Sequence, residues 1–190
     1  MAMMIETNRL NLQPLIDLDV QPLSLLFVEA AITDHLALAA MNQTAARLFA
    51  SEFVFCSLSE FRHQHTGVMS LKYRTDERFV GYAGLRPLPD RTRALELTYA
   101  IVPDYWGDGL ATEAGEAVIN WGFDTISDLK EVIALARDEN PASIRVLEKL
   151  GLERQGKTER YYGEELVLFS CGHNRRTSTK ACLAQPITKK

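Results

Sequence analysis

A mixed α+β fold, with helices flanking a mostly antiparallel sheet of six or seven strands, is predicted by three stretches of this chain. Between Val68 and Val102, three strand-like runs are joined by turns too short for a parallel crossover, so they form an antiparallel meander. From Glu96 to Phe123 a β-rich run passes through a turn of small residues directly into a helical period. At Asn140-Pro141 a helix opens with a good N-cap residue and a proline at its first position.

The individual elements follow in chain order. Thr7 to Leu15 sets Leu10 and Leu12 against Arg9, Asn11 and Gln13, the alternation of a half-buried strand. Asp17 and Asp19 are placed to cap a helix whose apolar positions are Leu23, Leu26, Phe27 and Ala30. A second helix is expected to begin at Thr33 or Asp34 and to run through Leu36, Ala40, Ala45, Leu48 and Phe49. Between Ser51 and Thr66 the period is poor, with Phe53, Phe55 and Phe61 spread among polar residues, so a helix-loop segment is expected there. Val68–Arg74 and Phe79–Leu85 read as strands around the polar turn Thr75-Asp76-Glu77-Arg78. Pro87, Pro89 and Asp90 then mark a turn before a strand from Ala94 to Val102.

That strand, with Leu97, Tyr99, Ile101 and Val102, is stopped by Pro103, which cannot donate to a sheet ladder. The turn Trp106-Gly107-Asp108-Gly109-Leu110-Ala111-Thr112 follows, and Ala114, Val118, Ile119 and Trp121 recur at helical spacing beyond it. The first N–H groups of such a helix have no carbonyl partner, and the aligned peptide dipoles leave about half a positive charge there. Glycine lets main chain approach a ligand closely, so this turn has the chemistry of an anion site. Val132 to Ala136 supplies a further strand, and a helix from Ala142 to Leu150 buries Ile144, Leu147 and Leu150 before stopping at Gly151. Leu152–Arg160 and Glu165–Phe169 make two last strands around the turn Tyr161-Tyr162-Gly163-Glu164.

With 190 residues, 46% hydrophobic and 24% charged, the chain is read as one domain over residues 1–172 with a polar, basic, poorly ordered tail over 173–190. Up to Gly172 it carries 16 basic against 25 acidic residues, a balance that disfavours nucleic acid and favours cationic partners such as amines. Cys56, Cys171 and Cys182 are odd in number and lack C-x-x-C spacing, which predicts neither disulfides nor a zinc site and suits a reducing cytoplasm. His63 and His65 lack a third ligand nearby, so no metal is expected. No window approaches 18 apolar residues and no basic-then-apolar leader opens the chain, so a soluble, cytoplasmic protein without membrane attachment is expected, as monomer or homodimer.

Trp106-x-x-Gly109-x-Ala111 resembles the pyrophosphate-binding turn of the GNAT acyltransferase superfamily, whose pattern is Gln/Arg-x-x-Gly-x-Gly/Ala. Tyr105 to Ala114 is similar to the branch containing the ribosomal-protein N-terminal alanine and serine acetyltransferases, where a tryptophan in place of Gln/Arg is usual. Thr7-x-Arg9-Leu10, Gly81 to Leu85, and Asn140-x-x-Ser143-x-x-Val146-x-x-x-x-Gly151-Leu152 resemble further signatures of that branch, in the expected order.

The resemblance implies a GNAT-like sheet splayed at its middle, with acetyl-CoA as acetyl donor and no metal. It implies that the pantetheine arm pairs with Tyr99, Ala100 and Ile101, and that the pyrophosphate sits on the N–H groups of Gly107, Asp108, Gly109, Leu110, Ala111 and Thr112. Asn140 would reach the pantetheine or thiol, although its residue type and place read equally as an N-cap. For catalysis the resemblance points to Glu96 as base, with an ion pair to Arg93 or Arg91 as the structural reading, and to Glu159 as the other candidate. Many members use a tyrosine on the helix after the asparagine as acid; Leu147 stands there, and Ser143 is the group implied to hydrogen-bond the sulfur, or else to cap its own turn. A strand N–H near Ile101 would polarise the carbonyl. The implied function is acetyl transfer to a primary amine, a protein N-terminus or a small amine, by direct attack in a ternary complex. An amine-antibiotic or polyamine acetyltransferase and a non-catalytic CoA-binding sensor are the alternatives. The segment from Ser51 to Thr66 would border the acceptor.

Overall fold

The computed structural model describes residues 4–33 and 41–174. Most of the basic tail lies outside them, as do Leu36 and Ala40 of the second expected helix and Cys182. Eight strands form one sheet: β1 (Ile5–Glu6), β2 (Leu10–Pro14), β3 (Gly67–Tyr73), β4 (Phe79–Leu88), β5 (Arg91–Ile101), β6 (Glu131–Ala136), β7 (Glu153–Thr158) and β8 (Leu166–Gly172). The helices among the described residues are α1 (Val20–Leu26), α2 (Ala30–Thr33), α3 (Gln43–Gln64), α4 (Leu110–Thr125) and α5 (Pro141–Lys149). The strand order is β1-β2-β3-β4-β5-β6-β8-β7, and every pairing is antiparallel except β5 with β6. The expected mixed fold is therefore present, with one strand more than predicted. The addition is β1, whose two residues pair Ile5 with Leu12 and Glu6 with Asn11 and are too few to show a period.

Alternation along the strands divides the core between the two faces of the sheet. Met69, Leu71, Ala83, Leu85, Leu97 and Ile101 pack with Ala114, Val118 and Ile119 of α4 and with Leu147 of α5. Val68, Tyr82 and Ala100 point the other way, against Leu23 and Leu26 of α1 and Ala46, Ala50 and Val54 of α3. Buried Ser57 fixes α3 to β3, because its hydroxyl donates to the Val68 carbonyl at 2.9 Å and accepts from the Val68 N–H at 2.7 Å.

Two expectations for the first half of the chain are corrected. For the second helix, expected from Thr33 or Asp34, Thr33 belongs to α2 and Asp34 lies outside the described residues, while α3, which holds Ala45, Leu48 and Phe49, starts at Gln43 with the Asn42 side chain accepting from Ala45 N–H. Ser51–Thr66 is not a helix-loop segment, since α3 runs unbroken to Gln64 and ends at His65 in the left-handed region, φ 55°. Its period looked poor because two different lines of the helix are apolar. Ala46, Ala50 and Val54 face the core, while Phe49, Phe53 and Cys56 lie half-buried along another line. Two further details differ. β4 continues through Pro87 to Leu88 with an irregular register, so the turn is confined to Pro89-Asp90. Asp19, expected to cap α1, is buried instead, accepting from Ile16 N–H at 3.0 Å and pairing with Lys72 at 3.2 Å.

One feature of the sheet positions the site. β5 and β6 are paired only at Ala94–Glu131, Leu95–Val132 and Glu96–Ile133. Beyond Glu96 and Ile133 the two strands separate, because β5 stays with β4 as far as Ile101 while β6 stays with β8 as far as Ala136. The sheet is thus open in its middle, as the family resemblance implies.

Candidate active site

A cavity of about 730 Å³ enters that opening. It is walled by Leu97 to Ile101 of β5 on one side and Ala134 to Ala136 of β6 on the other, and it ends on the turn before α4 in one direction and on α3 in the other.

The turn has the open main chain that an anion site needs. Gly107 and Gly109 have φ of 88° and 77°, values that L side chains rarely adopt. A Cβ on Gly107 would meet nothing within 4 Å, and one on Gly109 only Arg9 Nη2 at 3.9 Å, so packing does not demand glycine at either place. What both leave is open main chain. Gly109, as N-cap of α4, offers no side-chain acceptor to the first-turn N–H groups of Leu110, Ala111 and Thr112, all of which border the cavity. These are the groups that fit a phosphate.

The turn is locked from the amino-terminal strand. Glu113, in the first turn of α4, accepts the Thr7 hydroxyl at 2.6 Å, Arg9 N–H at 2.8 Å and Arg9 Nε at 2.7 Å, while Arg9 Nη1 donates to the Asp108 carbonyl at 2.8 Å. The Thr-x-Arg pair near the start and the glutamate of the central motif are therefore one clamp, although 104 residues separate Arg9 from Glu113. Burial works against the Glu113 carboxylate, but the bonds from Thr7 and Arg9 outweigh it and hold its pKa below the ordinary range. The clamp is consequently intact at neutral pH and is lost as pH falls through that lowered value. Glu113→Gln keeps the shape and removes the charge. Coenzyme A affinity, read by calorimetric titration, is expected to fall about tenfold, or about 1.4 kcal/mol, as the turn loosens.

Trp106, the residue replacing Gln/Arg, donates its indole N–H to the Ile101 carbonyl at 2.7 Å and so ties the turn to the end of β5. Asp108 is the one predicted turn residue that does not border the cavity: it is exposed, with its carbonyl spent on Arg9.

At mid-cavity two hydroxyls meet. Tyr99 Oη of β5 is 2.8 Å from Ser143 Oγ of α5. Asn140 caps α5, its side chain accepting Ser143 N–H at 3.0 Å as its structural reading expects, and it borders the cavity as well. Burial pushes the Tyr99 hydroxyl up to about 12, against the bond to Ser143. Leu147 is buried and apolar at the position that many family members give to tyrosine.

Toward α3 lies Glu96, 7% exposed. It does not pair with Arg93 or Arg91; Arg91 bonds Glu131 instead, at 3.0 Å. Glu96 accepts from the Tyr162 hydroxyl at 2.5 Å and stands directly across the strand pair from Arg86. Burial raises its pKa, partly offset by the Tyr162 bond and the Arg86 charge. Glu159, the other carboxylate proposed from sequence, is exposed beyond the end of β7 and does not border the cavity. The loop after it delivers Tyr162 instead. Sequence reasoning missed both Tyr162 and Arg86. The only signal for Tyr162 was a pair of tyrosines in a turn that needs none for its geometry, and Tyr162 has φ 58°, unusual for that residue.

Among the described residues no group of three or more His, Cys, Asp or Glu could hold a metal ion, and no helix is long and apolar enough to cross a membrane. Residues 9–153 match the family model described as "Acetyltransferase (GNAT) domain". YoaA of Bacillus subtilis (strain 168), an uncharacterized N-acetyltransferase, is 26% identical over 157 residues, which are 83% of this chain and 86% of that one. Mycobacterium smegmatis RimJ in complex with CoA-disulfide superposes with a TM-score of 0.76 at 19% identity, over 90% of this chain and 87% of that one. The ribosomal-protein-S5-alanine acetyltransferase of Vibrio fischeri gives a TM-score of 0.75 at 16% identity, over 90% and 97%. Those two likenesses speak for the fold. The family match covers the cradle, the opened strands and the Asn140 helix together, and by it this chain belongs to the GNAT family of acetyl-CoA-dependent acetyltransferases.

Proposed function

We propose that the chain moves the acetyl group of acetyl-CoA onto a primary amine by direct attack while both are bound. The observation that carries this reading is the continuity of one cavity from the α4 cradle, past the open edge of β5, to buried Glu96. The acetyl donor supplies a thioester carbonyl. The first-turn N–H groups of α4 hold the pyrophosphate, and the backbone of Tyr99 to Ile101 pairs with the pantetheine arm and polarises that carbonyl.

Glu96 accepts the proton of the incoming amine, directly or through Tyr162. A carboxylate whose pKa is raised by burial is a better match to an amine than an exposed one. At the other end, Tyr99 and Ser143 donate hydrogen bonds to the departing sulfur. With its pKa pushed up to about 12, Tyr99 stays protonated and donates, but it is too weak an acid to surrender its proton to a thiolate whose own pKa is about 8.5. The pair therefore stabilises charge, and Leu147 removes no step that this site requires.

The test is release of free coenzyme A thiol from acetyl-CoA, followed with a panel of peptides and amines. Acceleration by at least one amine is expected. Tight coenzyme A binding with no amine accelerating thiol release would replace this reading with that of a CoA-binding sensor.

A further inference from the structure

The second apolar line of α3 packs on the core through Phe27 and still leaves part of its surface to the cavity. Phe49, Phe53 and Cys56, at spacings of four and three, face the cavity half-buried, while the core side of the same helix is already filled by Ala46, Ala50 and Val54. Phe49 and Phe53 are backed by buried Phe27, with ring centroids 4.9 and 5.6 Å away, and Tyr82 closes the group 5.2 Å from Phe53. This apolar wall adjoins Glu96 within one cavity.

The charges around the wall are arranged for a single cation. Glu164 is engaged by Arg137 at 2.8 Å, and Glu52 is exposed at the rim, which leaves Glu96 as the buried carboxylate. Arg86 lies over the Phe53 ring at 5.6 Å and is held by Glu60 at 2.9 Å. An aromatic wall can hold a cation, but a guanidinium already occupies this one and repels a second.

We infer that the acceptor is a monoamine carried by an aromatic or branched aliphatic group, its nitrogen at Glu96 and its apolar body on Phe49, Phe53 and Cys56. This rests on the proposed acetyl transfer and narrows its acceptor. A polyamine would place its second ammonium against Arg86 and the rings, where the remaining carboxylate, Glu52, is solvent-exposed at the rim and pairs it only weakly. A free amine and the first residue of a peptide share the required chemistry.

The test compares kcat/KM, at saturating acetyl-CoA, for phenethylamine, a peptide beginning with phenylalanine, methylamine and spermidine. At least one of the two aromatic amines is expected to exceed both methylamine and spermidine by about tenfold or more, and the better of the two identifies the source. Cys56→Trp fills the space over the wall and is expected to cut the phenethylamine-to-methylamine ratio about tenfold. Should that variant melt below the assay temperature, Phe53→Leu, which removes the ring and keeps the bulk, is expected to lower the same ratio. Spermidine or methylamine equalling the aromatic amines, or a ratio unmoved in a folded variant, would overturn the inference while leaving acetyl transfer standing. If no amine is acetylated, the proposed reaction fails, and calorimetric binding of phenethylamine against spermidine to the coenzyme A complex decides the wall's role, equal affinities overturning it.

Discussion

Gly109→Glu abolishes coenzyme A binding in a protein that still folds. The substitution puts a carboxylate at the head of α4, on the open turn proposed to receive the donor's phosphates. Like charges at a site built from bare N–H groups are expected to cost at least about 100-fold in affinity, roughly 2.8 kcal/mol. The fold survives for two reasons. A Cβ at this position meets only Arg9 Nη2 at 3.9 Å, and an acidic side chain at a helix N-terminus is favourable to the dipole. The strain of an L residue at φ 77° costs about 1 kcal/mol. Gly109→Ala carries the strain without the charge and separates the two contributions. Calorimetric titration with coenzyme A, beside thermal melting, reads both. Retained affinity in a folded Gly109→Glu protein would locate the phosphates elsewhere.

Glu96→Gln leaves coenzyme A affinity unchanged and lowers kcat by about 10²- to 10³-fold. The sign of the pH dependence follows from the carboxylate's surroundings. Burial is the largest influence and raises its pKa, with the Tyr162 bond and Arg86 pulling it partly back. A base works only when deprotonated, so the native rate falls as pH drops through a range above that of an ordinary carboxylate. The glutamine variant has no such acidic limb and stays uniformly slow. A variant with the native rate and the native limb would remove Glu96 from the chemistry and leave Tyr162 with water to carry the proton.

What was legible in the sequence was whatever a short local pattern enforces. The meander from β3 to β5, the Asn140-Pro141 helix start and the glycine turn into α4 all depend on neighbours within a dozen residues, and all are found, with only the β4–β5 turn shorter than expected. The two-faced helix α3 escaped, because periodicity finds one apolar line against a polar background and here a second line cancels the first. Glu96 was found on its strand, but its partners were not: Tyr162 lies 66 residues away and arrives by the folding back of β7 onto β8. Glu159 was the plausible carboxylate of that same segment, and it is the tyrosine three residues later that the loop turns inward. The clamp on α4 shows the same limit from the other side. Thr7, Arg9 and Glu113 each sat in a recognisable motif, yet only three-dimensional structure reveals that the motifs grip one another.

The short seam between β5 and β6 has one more implication. Past Glu96 and Ile133 each strand keeps a partner on its outer side while its inner edge has parted from the other strand, so the protein carries two sheet margins in its own interior. Margins of that kind ordinarily invite aggregation. Here they face each other across a slot, screened from other chains, where an extended amide-bearing reactant can lie as a borrowed ninth strand. Under the proposed reaction the reactant becomes, for the length of one turnover, part of the architecture that acts on it.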